Sequence, residues 1–469
     1  MSASIPQAPR GWAMLALVGP SMIWCAEYIG SGEVVLATRT GALLGTAGLW
    51  VVVVAIGLKS CIGMAAARWA AVTGEGMIDM FDRLPGPRHW MIWLILAVQV
   101  PAAIVSVGAV ARTAGAFLNA WLPLAGGQVV WAVAASLFAL AVAWSGRFDV
   151  LKTVMSALVA AIVLGVVYVA LTTLPAARDL LAGLFGLAPM EIPAWAAGLG
   201  AAPSPWHEIL PLTGWAAGGF ASQVWYSYWV LGAGYGMAAG RGWGRPAEAP
   251  ALAALDPRAA AEVRGWCRLV RLDACLAAAV GILITSAFMI AGAGVLRPAQ
   301  VLPAGNQVAL TLSTLFSDRW GRAGGILFLV AGSAAMISTL VGQLSGWPRL
   351  LTDCARIVWP PTARIRLVTR FRTILVGLWV GNLLIAFWLD PVRLVRLGGQ
   401  LDGVLLTPIQ AGSLLAAFYV VLPRIVPRAS WRILRPGPAL TVLLAAAALV
   451  YAVLCVVFLP GSLRAVFAD

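Results

Sequence analysis

Long apolar runs recur from one end of this chain to the other, and they limit its fold more than any other feature. A helix needs about 20 apolar residues to cross the hydrocarbon of a bilayer, and about eleven runs meet that length. They lie near 13–38, 43–70, 91–118, 128–145, 151–174, 212–236, 268–292, 322–346, 371–389, 400–422 and 438–460. With 61% of its residues apolar and 11% charged, the chain carries more hydrocarbon than a soluble core uses. Only helices or closed barrels satisfy their backbone in lipid, and runs of this length are helical. The chain therefore reads as an all-α polytopic membrane protein. The opening MSASIPQAPRGWAML has one Arg and no cleavage site, so no removable signal peptide is expected.

The formal charge of +14 raises nucleic-acid binding. The basic residues fall in short links between apolar runs, so membrane topology explains them better, and no nucleic acid partner is expected. The links after spans two, four, six, eight and ten hold most of the arginines. This predicts a cytoplasmic N-terminus and an external C-terminus, with Arg297, Arg319 and Arg322 as exceptions on the outer side. The long link 175–211, rich in Pro, Gly and Trp, is expected to cover the outer face. Lys59 and Lys152 are the only lysines. His89 and His207, the only histidines, are both read as link residues, so a histidine metal cage is excluded. The six cysteines form no C-x-x-C pair and read as free thiols. No phosphate-binding G-x-x-x-x-G-K-[ST] loop occurs, which argues against an ATP-driven pump; no cofactor is expected.

The first run contains EYIGSGEVV, residues 27–35. A carboxylate inside a membrane span is a functional hypothesis by default. Gly30, Ser31 and Gly32 weaken the helix just before Glu33, each glycine costing about 1 kcal/mol relative to alanine. A broken span frees backbone carbonyls, which are tolerated only where they line a cavity or pack on protein. Transporter sites built on inverted repeats use such breaks near the midplane. The alternative is that the glycines serve close helix packing, which usually wants a spacing of four. Glu27 either touches substrate or proton, or faces water or an arginine. If the chain holds two inverted halves, a second break is expected in span six, PLTGWAAGGFASQVWYSYWVLGAGYG (211–236). Gly218, Gly219, Ser222 and Gln223 supply its small, polar middle, although Gly214 and Gly218 also have packing spacing. Gln99, Ser338, Thr339, Gln343, Gln400 and Gln410 read as interhelical hydrogen-bonding groups, and Asp402 either joins them or sits at the membrane surface.

These stretches resemble a known family. GPSMIWCAEYIGSGEVVLATRTGALLGTAGLW (19–50) is similar, without a gap, to the first helix and turn of the Nramp (natural resistance-associated macrophage protein) metal transporters. ARWAAVTGEGMIDMFDRL (67–84), GRFDVLKTVMSALV (146–159) and LVAGSAAMISTLVGQLSG (329–346) resemble the family's A-R-L-G-x-V-T-G segment, fifth helix and eighth helix. The resemblance implies a LeuT-like fold of two inverted five-helix repeats, here 13–174 and 212–422, with 438–460 as an eleventh helix. It also implies divalent metal transport. The site itself departs from the family. The D-P-G-N break becomes Gly30-Ser31-Gly32-Glu33, so Asp is replaced by Gly30 and Asn by Glu33. Ser222-Gln223-Val224 stands where the family has M-P-H, and 99–112 lacks the family's acids.

The leading expectation is a secondary transporter of a small divalent cation. Gly30, Ser31, Glu33, Ser222 and Gln223 would bind the substrate, with Gly30, Glu33, Ser222 and Gln223 as metal ligands. Glu27 and Glu33 are the candidates for proton coupling. Without a thioether the set is all oxygen, which suits Mg²⁺, Ca²⁺ or Mn²⁺, and a partly hydrated Mg²⁺ tolerates a single carboxylate. Two alternatives remain: an organic amine or amino acid anchored on Glu33, favoured by a wide aromatic-lined space between spans one and six, and a non-transporting receptor. No enzymatic activity is expected.

Overall fold

The structure, a computed structural model, describes residues 5–201, 204–302, 308–386 and 391–467. Among them there is helix and no strand. Eight helices are long and apolar enough to cross a bilayer: Leu49–Thr73, Trp90–Trp121, Gly127–Trp144, Pro257–Ala299, Gly321–Val358, Leu367–Leu384, Val395–Ile425 and Pro438–Arg464. Phe148–Thr172, at 25 residues, has the length of another. Two broken helices, in spans one and six, complete the expected series. The expected end of span nine at 387–389 and the side chain of Arg319 lie outside the described residues.

Local chemistry sets the ends. Prolines open the helices at 20, 205, 257 and 438, where the missing N–H costs nothing and φ is already helical. Asp256 caps span seven by accepting from Ala259 N at 2.7 Å, and Ser204 caps span six by accepting from His207 N at 3.3 Å. His207 thus sits in the first turn of a helix rather than in a link. Span two ends on Gly74, whose φ of 71° terminates the helix at little steric cost. Span seven begins at Pro257, well before the apolar run at 268, because PRAAAEVRGWCRLVR winds helically before the hydrocarbon-length stretch starts.

Span eight lies along span three, and spans one and six pack against span eight and against each other. Of the expected link 175–211, residues 205–211 belong to span six, and the part before it contains a helix, Ala177–Leu184, and a turn, Ala194–Ala196. It closes over the end of span one: Gly183 lies against the Thr46 carbonyl, and Arg39 Nη2 donates to Gly200 O at 2.6 Å.

Candidate functional site

Span one is interrupted where the glycines predict it. Helix Pro20–Tyr28 ends on Ile29 in extended conformation (φ −77°, ψ 93°). Winding resumes with a π-turn over Gly32–Ala37 and the helix Thr38–Leu44. The glycines also pack closely. A side chain at Gly30 would collide with Thr339, and one at Gly32 with Trp215. Backbone freedom and close approach are both at work.

The break does not leave bare carbonyls. Thr339 Oγ1, on span eight, lies 2.6 Å from Glu27 O and 3.2 Å from Ile29 O. Gly30 O accepts from Val34 N at 2.9 Å. Glu33 reaches back across the break: its Oε2 accepts from Gly30 N at 2.9 Å, satisfying an amide that the interruption frees. Its second oxygen, Oε1, is buried with no hydrogen-bond partner, and the residue has 0% exposure. Ser31 is buried beside it.

Span six breaks over residues 216–219, between Pro205–Trp215 and Phe220–Ala233. Ala217 and Gly218 take positive φ, 49° and 79°. Ser222 is fully used: its hydroxyl donates to Glu27 Oε2 and accepts from Trp24 Nε1 at 3.1 Å. Gln223 Nε2 donates to Ala217 O at 2.6 Å, while its Oε1 is buried without a partner and points toward Gly63 on span two. The structure thus brings Glu27 and Ser222 together, and leaves Glu33 and Gln223 each with an unused oxygen.

Two further residues govern the second break. Asp402 is 1% exposed, so the surface alternative for it is excluded. Its Oδ1 accepts from Gln99 Nε2 at 2.8 Å and from Ala221 N at 3.1 Å, which puts an anion at the N-terminal end of Phe220–Ala233. At the other side of the break, the Lys59 ammonium donates to Gly214 O and lies 3.3 Å from Gly403 O. A cation therefore sits at the C-terminal end of Pro205–Trp215. Both placements match the helix dipole. Gly403 lies so close to Gly214, and Gly214 to Gly399, that neither Gly403 nor Gly214 has room for a Cβ. Lys59 is within electrostatic reach of Glu27, Glu33 and Asp402. If all four ionise, they sum formally to two negative charges. Lys59 lies deep within span two, a position where a lysine marks a functional hypothesis. The importance of Asp402 depends on how span ten folds against the second break.

Among the described residues, no three His, Cys, Asp or Glu side chains converge as a metal cage. The aromatics between spans one and six fill their space: Trp24 stacks on Tyr226 at 4.5 Å and meets Tyr28 edge-on at 5.3 Å. The Trp24–Tyr226 stack packs span one directly against span six.

Polar latches hold span one beyond the breaks. Asp273 on span seven accepts from Gly19 N, Ser21 N and Ser21 Oγ at 3.1, 2.9 and 2.7 Å, and from Tyr226 OH at 2.8 Å. At the opposite end, Glu208 pairs with Arg39 at 2.5 Å and with Arg396 at 3.7 Å, and all three are buried. In the link after span two, Asp79 pairs with Arg356 at 2.6 Å. Burial, with Asp353 adding to it, pushes the Asp79 carboxyl up to about 7 despite that arginine.

The family model described as "Natural resistance-associated macrophage protein-like" matches residues 21–459. The chain belongs to the Nramp family. Curated relatives within reach of sequence comparison are divalent metal cation transporters MntH. That of Chromohalobacter salexigens is 31% identical over 87 residues, 18% of this chain and 20% of the relative. That of Burkholderia ambifaria is 29% identical over 124 residues, 26% of this chain and 28% of the relative. These matches span less than a third of the relatives' length. Among solved structures, the Eremococcus coleocola manganese transporter is similar with a TM-score of 0.70 at 14% identity, covering 100% of this chain and 91% of that one. MhsT, solved with L-phenylalanine, gives 0.51 at 14% identity over 96% of this chain and 100% of that one. These likenesses show the LeuT-like fold of this Nramp member, two inverted five-helix repeats with an eleventh helix.

Proposed function

We propose that this Nramp-family chain moves a divalent metal cation across the membrane by alternating access, through a site rebuilt around Glu33. The observation that carries the reading is the unpartnered Glu33 Oε1, buried at the break in span one. A buried lone oxygen of this kind costs about 1–3 kcal/mol unless something pairs with it in another state. When all four central ionisable groups are charged, they leave a formal deficit of two positive charges, which a divalent ion fills. Gln223 Oε1 supplies a second oxygen. Ser222, Ser31 and the Gly30 carbonyl join the coordination only when spans one and six separate, because all three are packed in the closed arrangement. Glu27, bound to Ser222, and Glu33 are the proton-coupling candidates. The repeats run over about 13–174 and 212–422, and the arginine-rich face is cytoplasmic, with the N-terminus on that side. No chemical conversion accompanies transport.

Reconstitution in proteoliposomes with Mn²⁺, Mg²⁺, Ca²⁺ and a panel of labelled amines tests this. Saturable uptake of at least one metal, with none of the amines, is expected. Amine flux without metal flux would overturn the metal reading and leave the fold assignment intact.

A further inference from the structure

A groove of about 960 Å³ opens between spans two, seven and eleven, and no residue of the two breaks lines it. Six arginines line it: Arg68, Arg264, Arg268, Arg271, Arg432 and Arg435, with no Asp or Glu among the lining residues. Topology accounts for arginines in links but not for these, because Arg264, Arg268 and Arg271 climb one face of a helix at positions i, i+4 and i+7. All three are exposed. Arg68 is bound into the fold, donating from Nε and Nη2 to Leu434 O at 3.2 and 2.6 Å. This holds the turn carrying Arg432 and Arg435 against span two.

The groove changes character along its length in the same direction on every wall. On span two, Arg68 gives way to Met64 and Cys61. On span seven, Arg271 gives way to Cys275. Before and into span eleven, Arg435 gives way to Leu440 and Leu443. From Arg264 to Cys275 the helix rises about 16 Å, enough to pass from headgroup level into acyl chains. Val442 and Leu443, on the outer wall, are 66% and 42% exposed, as lipid-facing residues are. A soluble anion would use only the basic end. A ligand with a phosphate head and hydrocarbon tails uses both. Basic pockets between spans are suited to such headgroups, and guanidinium forks pair with phosphate in bidentate fashion.

We propose that this groove is a binding site for an anionic phospholipid, its phosphate held by Arg264, Arg268 and Arg271 and its chains lying along Met64, Cys61 and Leu443. Six guanidinium groups favour a two-phosphate head such as that of cardiolipin over a single phosphate. The site is independent of what the central breaks transport.

Native mass spectrometry of the full chain, supplied with cardiolipin, phosphatidylglycerol or phosphatidylcholine, tests the proposal, with inorganic pyrophosphate as the soluble probe. Expected retention runs in that lipid order, and R264Q/R268Q/R271Q lowers cardiolipin retention at least tenfold. The charge-keeping R264K/R268K/R271K variant keeps part of it, and the single change R268Q carries the test if the triple glutamine variant does not fold. A second reading needs no variant: maleimide labelling of the exposed Cys275 slows severalfold in cardiolipin vesicles relative to phosphatidylcholine vesicles. Equal retention of all three lipids, or undiminished cardiolipin on R264Q/R268Q/R271Q, overturns the proposal. Displacement of cardiolipin by equimolar pyrophosphate would also overturn it, assigning the groove to a soluble anion.

Discussion

The Lys59 ammonium donates to the Gly214 carbonyl, joining span two to the last turn of the first half of span six. The same ammonium reaches Gly403 O, so one side chain ties together three spans at the edge of the second break. Across the break, Asp402 caps the helix that restarts at Phe220. The amine and the carboxyl sit where the dipoles of the two half-helices favour a cation and an anion, and each satisfies backbone groups at the interruption.

Replacing Lys59 with methionine removes the donor from two buried carbonyls and strands Asp402. The cost expected is about 3 kcal/mol, read as a lowered melting temperature in detergent. Because the charges are coupled, K59M/D402N should lose about 1 kcal/mol less than the two single changes added together. Strict additivity would show that Lys59 and Asp402 act separately.

Glu33→Gln keeps an oxygen that caps the Gly30 amide but removes the charge. Metal uptake should fall at least tenfold while the melting temperature stays within a few degrees. Glu33→Ala also loses the cap, worth about 1 kcal/mol, and should melt lower. Unchanged uptake by E33Q would remove Glu33 from the substrate's path.

Thr339→Val preserves shape and deletes the hydroxyl that serves the carbonyls of Glu27 and Ile29. A loss of about 1–3 kcal/mol is expected. No loss, measured by melting, would mean that those carbonyls find another donor.

Glu208→Gln leaves Arg39 and Arg396 without their shared carboxylate in a buried site. A destabilisation of about 3–5 kcal/mol is expected. A cysteine introduced at Gly200, which Arg39 holds down, should be alkylated faster in the E208Q background. Equal alkylation rates would argue against a latch.

Asp79 gives a pH signature. Its carboxyl is raised from the ordinary 3.8 to about 7 by burial and by Asp353. Between those values the folded chain holds a proton that the unfolded chain has released. Stability contributed by this group is therefore greatest at low pH, falls as pH rises through that window, and is level above about 7. Asp79→Asn should flatten that part of the profile, seen in melting temperatures between pH 4.5 and 8. Parallel profiles for the two proteins would contradict it.

The sequence by itself determined the series of spans, the helical class and the position of the first break. These follow from run length and from glycines beside a carboxylate, both of which act locally. It also marked the second break at 216–219 through Gly218 and Gly219, though not the start of that span at Pro205, because the seven residues before Leu212 are too mixed to read as membrane-buried. The tertiary structure decided how the polar groups are used. Ser222 is committed to Glu27 and Trp24, the freed carbonyls are served by Thr339, and Asp402 lies at the centre rather than the surface. Each of these depends on which span faces which across separations of 181 to 312 residues. The period of a single helix carries no record of its partner. A buried polar group must find a partner wherever packing provides one, so its role is settled by the neighbours that folding brings to it.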